Sequence, residues 1–278
     1  MSYYQALGLH TEPFSISPDP AFFFHSSAHA SALQRLEINL RLKRGLNLIL
    51  GDVGTGKTTL GRVLIQTLAS EKSMDFHLIL NPLFQSEFQF LEKLCALFQI
   101  PGPFRSAMDC LEALEHLLYQ RGVTENRTMV LLIDEGQNLT LPLLEVLRSL
   151  LNYETSQYKL LQLVILSQLE ALPRFQRLHN FMDRVSLKYT MNPLAPAECR
   201  EMIEFRLKQA GWTSPQLPFT TEALDMIYRE TQGYPRRVNL LCQRAMETLV
   251  MPGDKLIQAD TLRQLSGVEE GASIENNA

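Results

Sequence analysis

At 278 residues, with 45 % hydrophobic and 20 % charged residues, the chain has an ordinary globular balance and room for one large domain or two smaller ones. Its net charge of −4 excludes a global basic field of the kind that draws proteins to nucleic acid, while leaving a local basic site open. No apolar run reaches the roughly 18 residues that span a bilayer, and the start Met1-Ser2-Tyr3-Tyr4-Gln5 has neither a basic n-region nor an apolar h-region. The expectation is a cytoplasmic chain without a signal peptide or transmembrane segment, whose membrane association, if any, comes through a partner.

Residues 1–27 are punctuated by Pro13, Pro18 and Pro20 and rich in aromatics, which predicts a structured but non-helical leader. Ala32, Leu33, Leu36, Leu40 and Leu42 give a mostly helical spacing over 28–44. The apolar run 46–50 reads as a buried parallel strand. It runs into Gly51-Asp52-Val53-Gly54-Thr55-Gly56-Lys57-Thr58, a full G-x-x-x-x-G-K-[ST] phosphate-binding loop, and Thr59 opens a helix to 68. In such a loop the glycines turn backbone N–H groups toward phosphate oxygens, and the helix N-terminus adds partial positive charge. Lys57 is placed to reach the β- and γ-phosphates of ATP, and the Thr58 hydroxyl to hold Mg²⁺.

Further strands are expected at 76–80, 129–133, 161–166 and 185–190, with helices at 88–98, through Met108, Leu111, Leu114, Leu117 and Leu118, and at 143–151. Strands alternating with helices predict an α/β parallel sheet covered by helices on both faces. After Asn192-Pro193-Leu194 only helical stripes remain: Cys199 to Leu207, Ala223 to Tyr228, Val238 to Leu249, and a short one over 260–265. A domain boundary is expected near 194, and 267–278, with three glutamates among small polar residues, reads as a disordered tail. The four cysteines, Cys95, Cys110, Cys199 and Cys242, form no C-x-x-C pair and read as small core residues of a reducing compartment. The six histidines show no metal-ligand spacing.

The third strand ends in Asp134-Glu135. Ligands collect at the carboxyl ends of strands in a doubly wound sheet, so Asp134 is expected to orient Mg²⁺ and Glu135 to polarise the attacking water. Gln168 ends the fourth strand and offers an amide to the γ-phosphate or that water. Arg184 precedes the fifth strand, as does an arginine that reaches a neighbouring subunit's γ-phosphate in ring-forming ATPases; Arg174 and Arg177 compete for the role. Gly233-Tyr234-Pro235-Arg236-Arg237 opens a helix of the second domain, and Arg236 is preferred over Arg237 as a group facing the nucleotide.

The order of these motifs resembles AAA+ ATPases, and more narrowly the general secretion pathway protein A type with its pilus-biogenesis and transposition relatives. The resemblance is carried by Tyr4-Gln5-Ala6-Leu7-Gly8-Leu9, Glu12-Pro13-Phe14-Ser15, Pro18-Asp19-Pro20, residues 51–59, Asn81-Pro82, Ile133-Asp134-Glu135-Gly136-Gln137-Asn138-Leu139, Asn152-Tyr153-Glu154-Thr155 and residues 233–239. Gly136 stands where the family usually has alanine, Ser167-Gln168-Leu169-Glu170-Ala171 keeps only the amide of a G-Q-P-E-L string, and Asp183 replaces a glutamine. The resemblance implies a P-loop AAA+ core over 1–194, leader included, and an all-helical lid over 195–266. It implies an ATP- and Mg²⁺-dependent hydrolase that forms homo-oligomers and drives or regulates a secretion or pilus-type envelope complex, recruited to the inner membrane by a protein partner. Long members continue into a membrane helix and a cell-wall-binding domain, and this chain is expected to end after the lid. The alternatives are an ATP-dependent DNA-bound regulator of transposition, for which Arg41, Lys43 and Arg44 are the available basic residues, or a nucleotide-switched scaffold. Glu135 argues against the scaffold.

Overall fold

The computed structural model describes residues 2–250 and 256–265. The tail expected over 267–278 lies outside the described residues. Five strands, β1 (Leu46–Gly51), β2 (Met74–Ile79), β3 (Thr128–Ile133), β4 (Leu161–Ser167) and β5 (Val185–Met191), form one sheet in the order β2-β3-β4-β1-β5. All four pairings are parallel, so every strand delivers its carboxyl end to the same edge. β1, β3 and β4 are buried along their whole length, which is why they are near-continuous apolar runs in sequence.

The helices are α1 (Tyr3–Ala6), α2 (Ser27–Arg41), α3 (Lys57–Leu68), α4 (Glu87–Leu97), α5 (Ala107–Tyr119), α6 (Leu141–Leu150), α7 (Leu172–Gln176), α8 (His179–Met182), α9 (Pro196–Gln209), α10 (Thr221–Thr231) and α11 (Pro235–Thr248). Residues 259–265 add a further helical stretch. Ser86 and Ser106 cap α4 and α5 by accepting the N–H of Gln89 and Asp109, and Thr220 caps α10 through Ala223. α2 stops at Arg41, with Lys43 in the left-handed region (φ 50°), so Leu42 leaves the apolar stripe and is exposed.

The chain divides into two compact units. One holds Ala28–Val53 and Lys57–Met191; the other holds the leader up to Ser27, Gly54–Gly56 and the chain from Asn192 onward. In the sheet unit a buried cluster joins Leu46, Leu48 and Leu50 of β1 to Leu131 and Ile133 of β3, Leu163 and Ile165 of β4, and the inner faces of α4, α5 and α6. In the helical unit Met202, Ile203, Leu207, Ile227, Val238 and Ala245 pack together with Leu9 and Phe14 of the leader.

The leader therefore belongs with the helical unit and not with the nucleotide-binding core, where the sequence reading had put it. The cause is a buried arginine. The Arg206 guanidinium donates to the carbonyls of Pro13 (2.7 Å), Ser15 (2.8 Å) and Phe22 (3.0 Å) and lies over the Phe22 ring. Burial pulls its pKa down to about 10, which leaves it charged at neutral pH. Ser27 adds two bonds to Glu198 of α9, through its N–H (3.0 Å) and hydroxyl (2.7 Å). The leader also holds one helical turn, α1, and a 3-10 turn at Pro20–Phe22, where none was expected.

All four cysteines are free and buried, Cys95 and Cys110 on α4 and α5, Cys199 and Cys242 on α9 and α11. Burial pushes the thiols up, those of Cys95 and Cys199 to about 12. Among the described residues no helix is long and apolar enough to cross a membrane.

Candidate nucleotide site

The phosphate-binding loop leaves the end of β1 and feeds α3, whose first residue is Lys57. Gly54 (φ 83°) and Gly56 (φ 95°) both take the left-handed conformation that L side chains resist, so the loop's shape needs glycine at both. Thr55 between them is buried, while Val53 at the tip is exposed. The Lys57 ammonium donates to the Gly51 and Asp52 carbonyls, each at 2.8 Å, which aims it back across the loop. Burial lowers its pKa, and Asp134, Glu135 and Asp52 pull the other way.

β4 lies between β1 and β3, so the loop and the acidic end of β3 are separated by one strand at the same edge of the sheet. Across that gap the Thr58 hydroxyl donates to Asp134 Oδ2 at 2.6 Å. Asp134 is buried and its other oxygen accepts the Glu135 N–H at 2.9 Å. Burial raises its pKa; the two hydrogen bonds and Lys57 act against that rise, and the neighbouring Glu135 charge adds to it. A hydroxyl and a carboxylate oxygen at this spacing are hard oxygen donors, the chemistry that suits Mg²⁺.

Glu135 is exposed and takes a left-handed backbone (φ 53°, ψ 40°), an unusual conformation for a non-glycine residue. Gly136 after it is pressed against β4. A Cβ there would sit 2.4 Å from Ile165 Cγ2 and 3.1 Å from the Leu166 carbonyl oxygen. Gln168, half-buried, follows directly on β4. Lys57, Thr58, Asp134, Glu135 and Gln168 thus all lie at one edge of the sheet unit, although they come from three strand ends.

The arginines separate into different environments. Arg184 precedes β5, and Val185 pairs with Leu46 at the start of β1. It therefore lies at the end of the sheet opposite the loop, about 20 Å away for a strand of this length. It is half-buried, with one weak bond to the Leu151 carbonyl at 3.5 Å. Arg177 is exposed. Arg174, also exposed, donates to the carbonyls of Gln137 (2.7 Å) and Leu139 (3.0 Å).

In the helical unit Gly233 (φ 73°) sets the start of α11. A Cβ there would meet the Leu194 carbonyl oxygen at 2.1 Å, and the Gly233 carbonyl accepts the Leu194 N–H at 2.9 Å. Pro235 fills the first helical position and the Arg236 N–H donates to the Gly54 carbonyl at 3.2 Å. The Arg236 side chain is exposed, whereas Arg237 lies over the Tyr234 ring.

Sequence reasoning passed over Gln137. Its amide bonds the Glu135 carboxylate, and its Oε1 accepts the Gln168 N–H at 3.3 Å. Its signals were its place two residues after Glu135 and its membership of the 133–139 stretch that carries the family resemblance.

An AAA domain family matches residues 40–175. General secretion pathway protein A of Aeromonas hydrophila is 36 % identical over 276 residues, covering 96 % of this chain and 49 % of that protein, so the chain spans about half the length of this relative. Among solved structures, Cdc6p from Pyrobaculum aerophilum superposes with a TM-score of 0.68 at 20 % identity, covering 88 % of this chain and 67 % of that one. The Aeropyrum pernix ORC2 protein, solved as ADPNP–ADP complexes, gives 0.62 at 17 % identity, with coverages of 85 % and 66 %. At such identities these two speak for the fold. Sheet order, loop, acidic strand end and family match together place the chain in the AAA+ P-loop family, with its nearly full-length similarity running to a general secretion pathway protein A.

Proposed function

We propose that the chain is a Mg²⁺-dependent ATPase that self-associates and drives or regulates assembly of a secretion or pilus-type envelope complex. The observation that carries the catalytic part is the Thr58–Asp134 hydrogen bond, which brings the end of the phosphate-binding loop and the acidic end of β3 together with Glu135 alongside. Residues 51–59 would cradle the phosphates, with Lys57 facing the β- and γ-phosphates. Thr58 and Asp134 would hold Mg²⁺, which supplies charge neutralisation when bound. Glu135 would take the proton of the attacking water, and Gln168 would orient that water or the γ-phosphate.

Arg184, at the far end of its own sheet, would serve a neighbour's nucleotide, which makes turnover depend on the oligomer. Arg236 would read the γ-phosphate from the helical unit. The pathway rests on the similarity to a general secretion pathway protein, and in this reading the chain works in the cytoplasm and is recruited to the inner membrane by a protein partner.

The test is hydrolysis together with nucleotide binding. Lys57→Ala is expected to abolish binding of a fluorescent ATP analogue. Glu135→Gln is expected to retain it while losing turnover by about 100-fold or more. Equal turnover in wild type and Glu135→Gln would remove Glu135 from the mechanism.

A further inference from the structure

A general base needs more than the right carboxylate; it has to be aimed. Glu135 is exposed, on a loop, in a left-handed conformation, so its own backbone leaves its direction under-determined. One side chain supplies what is missing. Gln137 Nε2 donates to Glu135 Oε2, and Gln137 Oε1 accepts the backbone N–H of Gln168 at the end of β4. The two ends fix the amide's orientation. A carboxylate only accepts and a backbone N–H only donates, so the amide has one way to satisfy both.

The base of this clamp is itself held. Arg174 donates to the carbonyls of Gln137 and Leu139, and Gly136 lets the loop press onto Ile165. On the other side Asn138 Nδ2 donates to Asn81 Oδ1 at 2.9 Å, tying the loop to the end of β2. Of these contacts, only the Gln137 amide reaches the carboxylate of Glu135.

We propose that Gln137 is a positioning residue that ties the Glu135 carboxylate to the end of β4, so that Glu135 is aimed only while Gln137 bridges to Gln168. This rests on the reading of Glu135 as the general base. It adds that hydrolysis is set by the end of β4, the strand that runs between the phosphate-binding loop and the acidic strand end.

The experiment is single-turnover ATP hydrolysis by the full chain, with affinity for a non-hydrolysable analogue measured beside it. The proteins are wild type, Gln137→Met, Gln137→Glu, Glu135→Gln and the Glu135→Gln/Gln137→Met double variant. Methionine keeps the length of the side chain and removes both bonds; glutamate keeps the acceptor and removes the donor. Each single Gln137 variant should lower the rate about 10- to 100-fold, with analogue affinity within about twofold of wild type. The double variant should be no slower than Glu135→Gln alone, because a residue that acts through Glu135 has nothing left to aim.

An unchanged rate in both Gln137 variants would overturn the inference. So would a loss of analogue affinity matching the loss of rate, or a double variant slowed by the product of the two factors. Wild-type turnover in Glu135→Gln would instead sink the underlying assignment of the base, so the two failures are told apart by different proteins in the set.

Discussion

At the scale of single residues, Gly136 sets how closely the loop after β3 approaches β4. With no side chain, residue 136 lies against Ile165 Cγ2, the Leu166 carbonyl and Ser167 Cβ, at distances a methyl group could not share. Ile165 is buried and β-branched, so it has little freedom to move aside. Gly136→Ala should therefore cost about 1–3 kcal/mol of stability by overpacking, read as a lowered unfolding midpoint in denaturant. A variant as stable as wild type would mean the loop has room that the static contacts do not reveal. Much of the site at this scale was legible in sequence, because a phosphate loop and an apolar-Asp-Glu strand end are local strings. Gln137 was not, since an amide two residues beyond the base has no meaning until the loop folds back toward the end of β4.

At the scale of elements, the buried strands were readable because burial on both faces forces continuous apolar runs. β2 was displaced in the reading: it was expected at 76–80 and runs Met74–Ile79, with Leu80 exposed beyond it. As an edge strand of mostly intermediate burial it carries no such run. α7 and α8, of five and four residues, are too short to show a helical period, and Pro173 disguises the first. The leader was misplaced for another reason. Its partner Arg206 is some 190 positions away, and a local pattern holds no record of a contact at that separation. Arg206→Met should free the carbonyls of Pro13, Ser15 and Phe22 together and cost about 1.5–3 kcal/mol for each charged bond not replaced by water. The expected result is early proteolytic cleavage between residues 13 and 24, followed by loss of helical-unit stability. Arg206→Lys should rescue little, because one ammonium cannot follow three carbonyls held by a planar fork. Proteolysis of Arg206→Met at the wild-type rate would show that the packing of Leu9 and Phe14 and the Ser27–Glu198 bonds hold the leader without it.

For the whole molecule, the parallel sheet imposes a division of labour. The loop, Asp134-Glu135 and Gln168 leave the carboxyl ends of the strands, and Arg184 enters at the amino end of β5. In the proposed reading such an arginine would serve hydrolysis through another copy. Arg184→Ala should lower turnover more than ATP affinity. Mixing it with Lys57→Ala protein should restore part of the activity, since one protein retains the loop and the other the arginine. The readout is turnover against mixing ratio, with a hump above both parents expected. A flat line, with both proteins folded, would remove the shared site, and the same series with Arg177→Ala would decide whether the exposed arginine takes that place.

The placement of the thiols has a practical consequence. Two lie buried in helices flanking the sheet and two in the helical unit, all protonated at neutral pH. A thiol in that state resists alkylating reagents until its surroundings open. Natural sequence has thus left one matched pair of chemical clocks in each half of the protein. Digestion and mass spectrometry after a timed pulse of reagent would report when each half came apart, with no label engineered in.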